Sequence, residues 1–279
     1  MRIMMSAAAS PVAPGIIRHL QMLGHTVIGH DSSPYIEKTI ADRHIRSPRA
    51  IGNAYLRFLQ NFENSYELYL PFLDEELRLF GLTGQPAKCV VRSPNSTLLT
   101  FTSKVLQQRA LAGAGLPVAP EIEVIIKPDE GRGGKGILKT TMAGGFVVQQ
   151  LLKGQEYTID VLTDLEGNFL FAVPRERLVT NGVSVIGRIN MDDDLIELAR
   201  DVVSKFTFNG PINIQVMVSK EADHIIEVNP RLSGSCMFTV MAGWDILDAT
   251  IRLHEGKPFI PPSKVEEITV RRTYIEERI

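Results

Sequence analysis

Hydrophobic and polar positions along the chain switch between helical and strand periods, and the switches lay out its elements. Residues 2–7 form an apolar run short enough for a buried strand. Residues 10–15 then open a helix with Ile16, Ile17, Leu20 and Leu23 on one face and Gly24 as its stop. Residues 26–29 read as a second strand ending at His30-Asp31. Further on, 55–62 is a helix, 66–73 a strand, Asp74-Glu-Glu-Leu the acidic start of another helix, and 90–94 one more strand. Residues 99–117 read as one capped helix, started by Thr102 or Ser103 and ended by Gly115. Then come a strand, a link and a strand over 146–162, and a strand over 169–174 leading to Arg175-Glu-Arg177. Asp194-Leu-Ile-Glu197 is a capping box that opens a helix with Leu195, Leu198, Val202 and Phe206 inward. Residues 237–254 look helical, and 268–275 form a last strand returning to the core sheet.

The clearest alternation lies in two strands, 212–218 and 224–228, joined by a polar turn. Asn213, Gln215 and Met217 share one face of the first, Ile212, Ile214 and Val216 the other. On the second, Glu227 and Asn229 share a face, and Pro230 ends the ladder because it has no N–H. If Gln215 faces Glu227, three oxygen donors (Gln215, Glu227 and Asn229) converge, with the Arg231 guanidinium behind them. Such a set suits Mg²⁺ completed by phosphate oxygens, and Arg231 suits a phosphate. The plain alternative is a hairpin with a polar solvent face.

Composition removes several options. Hydrophobic residues make up 44% of the 279 and charged ones 22%, an ordinary globular balance. The net charge of −2 advertises neither nucleic acid nor an anionic membrane. No apolar run nears the roughly 18 residues a membrane helix needs. Cys89 and Cys236 are too few for a disulfide framework, which fits a reducing, cytoplasmic setting. The histidines lack ligand spacing, and His25, His30 and His44 read as strand-edge or surface residues.

Other stretches carry anion chemistry. The β-α-β start resembles a dinucleotide fold, but its turn, Ser-Ala-Ala-Ala-Ser-Pro, lacks the glycines of G-x-G-x-x-G. Asp31 could take a ribose there or serve as a turn residue. Lys104 stands in the first turn of its helix, where the dipole disfavours a cation unless an anion is bound. After the strand ending at Lys127-Pro, four glycines fall within 131–136, Gly133 and Gly134 among them, and glycines let backbone N–H groups cradle phosphate. Arg175 and Arg177 suit an anionic substrate or a solvated edge equally well.

Read in order, these segments resemble the ATP-grasp enzymes, most closely the carbamoyl phosphate synthetase large-subunit-like branch of carboxylate-amine ligases. Asn-x-Gln-x followed by Ile-Glu-x-Asn-Pro-Arg carries the resemblance, with the Gly-rich loop and the Leu-Pro-Phe-Leu-Asp-Glu-Glu-Leu segment in support. The resemblance implies an α/β (α+β) protein. A Rossmann-like pre-ATP-grasp domain (1–95) precedes a lid and nucleotide-binding subdomain (96–153) and a C-terminal catalytic subdomain (154–279). It implies that Lys104, Lys127, Gly133 and Gly134 serve the phosphates. Gln150 and Leu152 then line the adenine edge, and Glu156 takes the ribose. Gln215, Glu227 and Asn229 bind Mg²⁺ (or Mn²⁺), while Arg231, Lys127, Arg175 and Arg177 act in catalysis.

The implied reaction is ATP-dependent ligation: a carboxylate is phosphorylated to an acylphosphate, which an amine or similar nucleophile attacks. Its partners are small-molecule carboxylate and amine substrates, with a homodimer as one option and no nucleic acid or membrane. Two rivals are a non-catalytic ATP-binding or regulatory protein and a dinucleotide-dependent oxidoreductase. The lid stretch is short, with six residues between Pro120 and Lys127 and ten between Gly136 and Val147. The expectation is that mobile lid residues are missing there, leaving a chain break within 119–124 or 139–146; the alternative is a naturally trimmed lid.

Overall fold

The computed structural model describes residues 1–84, 86–122, 124–126, 138–140, 142–143 and 146–273. The expected chain break falls on segments that pass outside these residues.

The N-terminal part is a four-stranded parallel sheet. Its strands are β1 (Arg2–Met5), β2 (Thr26–Asp31), β3 (Arg43–Arg46) and β4 (Leu68–Leu70), in the order β3-β2-β1-β4. Helices α1 (Ala13–Met22), α2 (Gly52–Phe62) and α3 (Asp74–Thr83) connect and flank it. Ile16, Ile17 and Leu20 of α1 are buried, as the period demands. With no glycine in the turn after β1, Ala7 itself takes a left-handed φ of 55°. Asp31 is a turn residue: Oδ1 accepts from Ser33 N at 2.9 Å and Oδ2 from Ala9 N at 3.1 Å.

Helices α4 (Asn95–Phe101) and α5 (Lys104–Gly113) follow, then the short strands β5 (Val124–Ile126), β6 (Leu138–Thr140), β7 (Met142–Ala143) and β8 (Phe146–Val147). The C-terminal part is a six-stranded antiparallel sheet ordered β13-β12-β9-β10-β11-β14. Its strands are β9 (Gln155–Thr163), β10 (Phe169–Asn181), β11 (Val183–Ile189), β12 (Pro211–Val218), β13 (His224–Asn229) and β14 (Thr269–Arg271). Helix α6 (Asp193–Lys205) crosses between β11 and β12, and α7 (Cys236–Met241) and α8 (Ile246–His254) follow β13.

The large sheet has two unlike faces. Ile159, Val161, Ile212, Ile214, Val216 and Val228 pack with Leu195, Ala199 and Val202 of α6 and Leu111 of α5 in one core. A second core joins the N-terminal sheet to Val173, Leu232, Trp244 and Leu247, so the two halves share buried surface. At that junction Gly210 has φ +103°, and a Cβ there would lie 2.4 Å from Val90 O, so glycine alone fits.

Tertiary packing overrode several local readings. The helix expected to start at Thr102 or Ser103 and end at Gly115 is α5, capped by Ser103 accepting from Leu106 N and ended at Gly115 with φ 76°, while α4 before it is a separate helix that the pattern did not mark off. The 237–254 helix is broken at Gly243, whose φ is +103°. The cap of α6 is Asp192, accepting from Asp194 N and Leu195 N, in place of the expected Asp194–Glu197 box. Residues 90–94 make no strand. Strand β10 runs past Pro174, which is tolerated because the pairing of β10 with β11 begins only at Arg175. His30 is no edge residue: it is fully buried, with Nε2 3.1 Å from Tyr69 Oη, and burial pushes its pKa down to about 3.

Candidate functional site

The polar face of the large sheet is built by strand alternation. In the β12–β13 pair Gln215 lies opposite Glu227 and Asn213 opposite Asn229. Gln215 Nε2 donates to Glu227 Oε1 at 2.9 Å, and Asn229 Nδ2 donates to the same oxygen at 2.8 Å. Asn213 Oδ1 accepts from Asn229 Nδ2 at 3.2 Å, while its own amide donates to Arg231 O at 2.9 Å. Gln215 thus faces Glu227, and the side chains of Gln215, Glu227 and Asn229 meet with both amides turned nitrogen-first to the carboxylate.

Each cation beside this cluster holds a carboxylate. Lys104, the first residue of α5, pairs with Glu227 Oε2. Gln107, one turn later, fixes this approach: its Oε1 accepts from Val228 N at 2.9 Å, pinning α5 to β13. Arg177 pairs with Glu156 and donates from Nη1 to Gln215 Oε1 at 3.2 Å. Arg231 forms a two-pronged pair with Asp74 of α3, Nε to Oδ1 at 2.7 Å and Nη2 to Oδ2 at 2.9 Å. Burial acts to raise the Asp74 carboxyl, but the hydrogen bonds and charge of Arg231 outweigh it and hold it below the usual carboxylate range.

Arg175 stands apart from these. It is 0% exposed, with Nη2 3.3 Å from Asp160 Oδ2 and 3.2 Å from Ser233 Oγ, and its guanidinium lies over the Phe238 ring. Thr239 Oγ1 donates to the same Asp160 oxygen at 2.5 Å. In this arrangement Arg175 offers no surface to a ligand; it places a buried ion pair on the same sheet face as Gln215, covered by α7, and ties α7 to the sheet.

In the link before β9, Gln150 is exposed, with its N–H donating to Pro120 O at 2.9 Å, and Leu152 is half-buried. Gly154 ends this link against β12, where a Cβ would sit 2.1 Å from Val218 O. Lys127, Gly133 and Gly134 lie outside the described residues.

Residues 143–276, just under half of the chain, match the family described as "ATP-grasp in the biosynthetic pathway with Ter operon". The fold is that of the ATP-grasp proteins. Solved structures agree with it in shape at low identity. N5-carboxyaminoimidazole synthetase from Staphylococcus aureus superposes with a TM-score of 0.65 at 14% identity, covering 95% of this chain and 79% of that one. L-amino acid ligase from Bacillus licheniformis gives 0.67 at 14%, over 91% and 74%. A single-chain, multi-domain long-chain acyl-CoA carboxylase gives 0.61 at 18%, over 93% of this chain but 28% of that one. The chain thus spans under a third of the multidomain carboxylases it resembles. No curated protein matches it by sequence.

Within this ATP-grasp fold the donor chemistry fits a hard cation. Among the described residues no three His, Cys, Asp or Glu side chains cluster as a metal site. The available set is one carboxylate and two amides, which suits a cation bound largely through phosphate oxygens. Both amides here turn their nitrogens to Glu227, and a half-turn of each presents its oxygen instead. Sequence reasoning missed Asp74, Gln107, Asp160 and Gly154 as builders of the site. Asp74 left a trace inside the acidic helix start.

Proposed function

We propose that the chain is an ATP-dependent ligase that activates a carboxylate as an acylphosphate and joins it to an amine. The observation that carries this reading is the continuous polar network Lys104–Glu227–Gln215–Arg177–Glu156 on one sheet face, with Asn229 and Arg231 at its margin. Glu156 takes the ribose hydroxyls, exchanging its hold on Arg177 for them. Gln150 and Leu152 border the adenine. Lys104 and Lys127, with the backbone of Gly133 and Gly134, hold the phosphates. Glu227, Gln215 and Asn229 are the residues that would hold Mg²⁺ or Mn²⁺, which when bound supplies positive charge to the phosphate oxygens.

A substrate carboxylate oxygen attacks the γ-phosphorus, and the bridging P–O bond to ADP breaks. The amine nitrogen then attacks the acyl carbon, inorganic phosphate leaves with the C–O electron pair, and the nitrogen loses a proton. Such chemistry asks the protein for positioning and charge neutralisation more than for a nucleophile, which matches a site rich in cations and amides. Arg231 and Arg177 face the developing charge, and Arg175, sealed on the same sheet face, holds Asp160 and the loop of Ser233 in place. Parts 1–95, 96–153 and 154–279 serve as pre-ATP-grasp domain, lid and nucleotide-binding subdomain, and C-terminal catalytic subdomain.

The test is ADP release from Mg·ATP over mixtures of carboxylates and amines, followed by mass spectrometry of the products. Nucleotide binding with no ADP release on any mixture favours a non-catalytic ATP-binding protein instead.

A further inference from the structure

Arg231 is placed by two converging sets of bonds. On the catalytic side its carbonyl accepts from Asn213, whose side chain bonds Asn229. On the N-terminal side its guanidinium meets Asp74, the first residue of α3.

That helix start is itself immobilised. Glu76, 0% exposed, accepts at Oε1 from Phe72 N at 2.8 Å, from Leu73 N at 3.0 Å and from Ser6 Oγ. At Oε2 it accepts from Tyr55 Oη at 2.6 Å and Tyr69 Oη at 2.5 Å. A carboxylate so fully satisfied fixes the backbone at both ends of the Leu73-Asp74-Glu75 step. Asp74 is therefore delivered to Arg231 from a rigid base.

The way the fork is shared matters. Asp74 takes the Nε–Nη2 side of the guanidinium, and Leu232 O accepts from Nη1 at 3.2 Å. The end of the fork, where Nη1 and Nη2 lie side by side, keeps an N–H on each nitrogen. Two parallel N–H groups match two oxygens of a phosphoryl group. The side chain as a whole keeps 17% of its surface exposed.

We propose that Asp74 is a positioning residue: from the N-terminal part it orients Arg231 so that the end of its fork meets the terminal phosphoryl group of the nucleotide. This rests on the ATP reading above. Asp74 does not itself touch substrate. A longer or differently rooted acid would rotate the fork and turn its free end away.

The test compares wild type with Asp74→Ala, Asp74→Asn, Arg231→Ala and the Asp74→Ala/Arg231→Ala double variant. Binding of Mg·β,γ-imido-ATP and of Mg·ADP is measured by calorimetry, with thermal unfolding alongside. Arg231→Ala is expected to erase the preference for the triphosphate. Asp74→Ala should reduce that preference by about tenfold while leaving ADP affinity in place, as loss of one oriented two-pronged contact would. The double variant should be no worse than Arg231→Ala. Asp74→Asn, which preserves shape if the alanine variant fails to fold, should fall between.

Three results overturn the proposal: an unchanged triphosphate preference in both Asp74 variants, losses that multiply in the double variant, or equal weakening of both nucleotides. The last would reduce the pair to a structural pin. Wild-type protein that prefers the triphosphate but releases no ADP on any carboxylate and amine would sink the ligase reading and leave the role of Asp74 standing. Wild-type protein with no triphosphate preference would overturn both.

Discussion

Gln215 and Glu227 face each other across β12 and β13, amide nitrogen to carboxylate oxygen at 2.9 Å, and Lys104 closes on the other carboxylate oxygen. Glu227 is thus the shared acceptor for the whole cluster. Among the three ligand-type residues it alone carries a full negative charge.

Glu227→Gln keeps the shape and removes that charge. Turnover should fall by at least about 100-fold, the scale seen when an electrostatic group is removed from a preorganised site. Gln215→Ala should be milder. ADP release measured across a Mg²⁺ titration checks both, and wild-type-like turnover in Glu227→Gln would remove the metal assignment.

Glu156 is held by Arg177 at the head of β9. If it takes the ribose, Glu156→Ala should raise the ATP KM and narrow the gap between ATP and 2′-deoxy-ATP by about tenfold, the worth of a hydrogen bond to a charged group. Competition between the two nucleotides measures it. An unchanged gap speaks against a ribose role.

Gly154→Ala tests, from the backbone side, the link proposed to border the adenine. The added methyl would overlap Val218 O, a backbone atom at the end of β12, so strand or link must shift. A cost of about 1–3 kcal/mol is expected from such overpacking. If the link moves to relieve it, the ATP KM rises while kcat is retained. Steady-state kinetics together with a denaturant midpoint separate the two effects.

His30 gives the fold an acid-sensitive group. Its pKa is about 3 in the folded chain against an ordinary value of 6.5, because burial among Tyr55, Phe58 and Tyr69 disfavours the charged ring. Between those values the unfolded state binds more protons, so stability is complete above pH 6.5 and is lost as the pH falls toward 3. By pH 5 the loss should be about 2 kcal/mol. His30→Phe removes the titrating ring, while Tyr69 Oη keeps Glu76 and Tyr55 as partners. Urea unfolding from pH 5 to 8 should therefore vary less in that variant.

Alternation along 212–218 and 224–228 was enough to put Asn213 and Gln215 on one face of their strand and Glu227 and Asn229 on one face of theirs. Side-chain direction in a strand depends only on position parity. The order of the motifs was likewise enough to expect an α/β start followed by an ATP-grasp fold. What the strands face was not legible. Whether Gln215 meets Glu227 depends on register, and a bulge beside Gln215 shows how easily register shifts. Arg175 and Arg177 looked equivalent in the sequence, being same-face residues two apart. Burial separates them: one is sealed against Asp160 and Phe238, the other reaches the polar cluster. Asp74 read as helix capping because its partner is 157 positions away, and no local pattern encodes a contact of that length. Only the shared core between the two halves brings α3 against the loop after β13, and with it the carboxylate that aims Arg231.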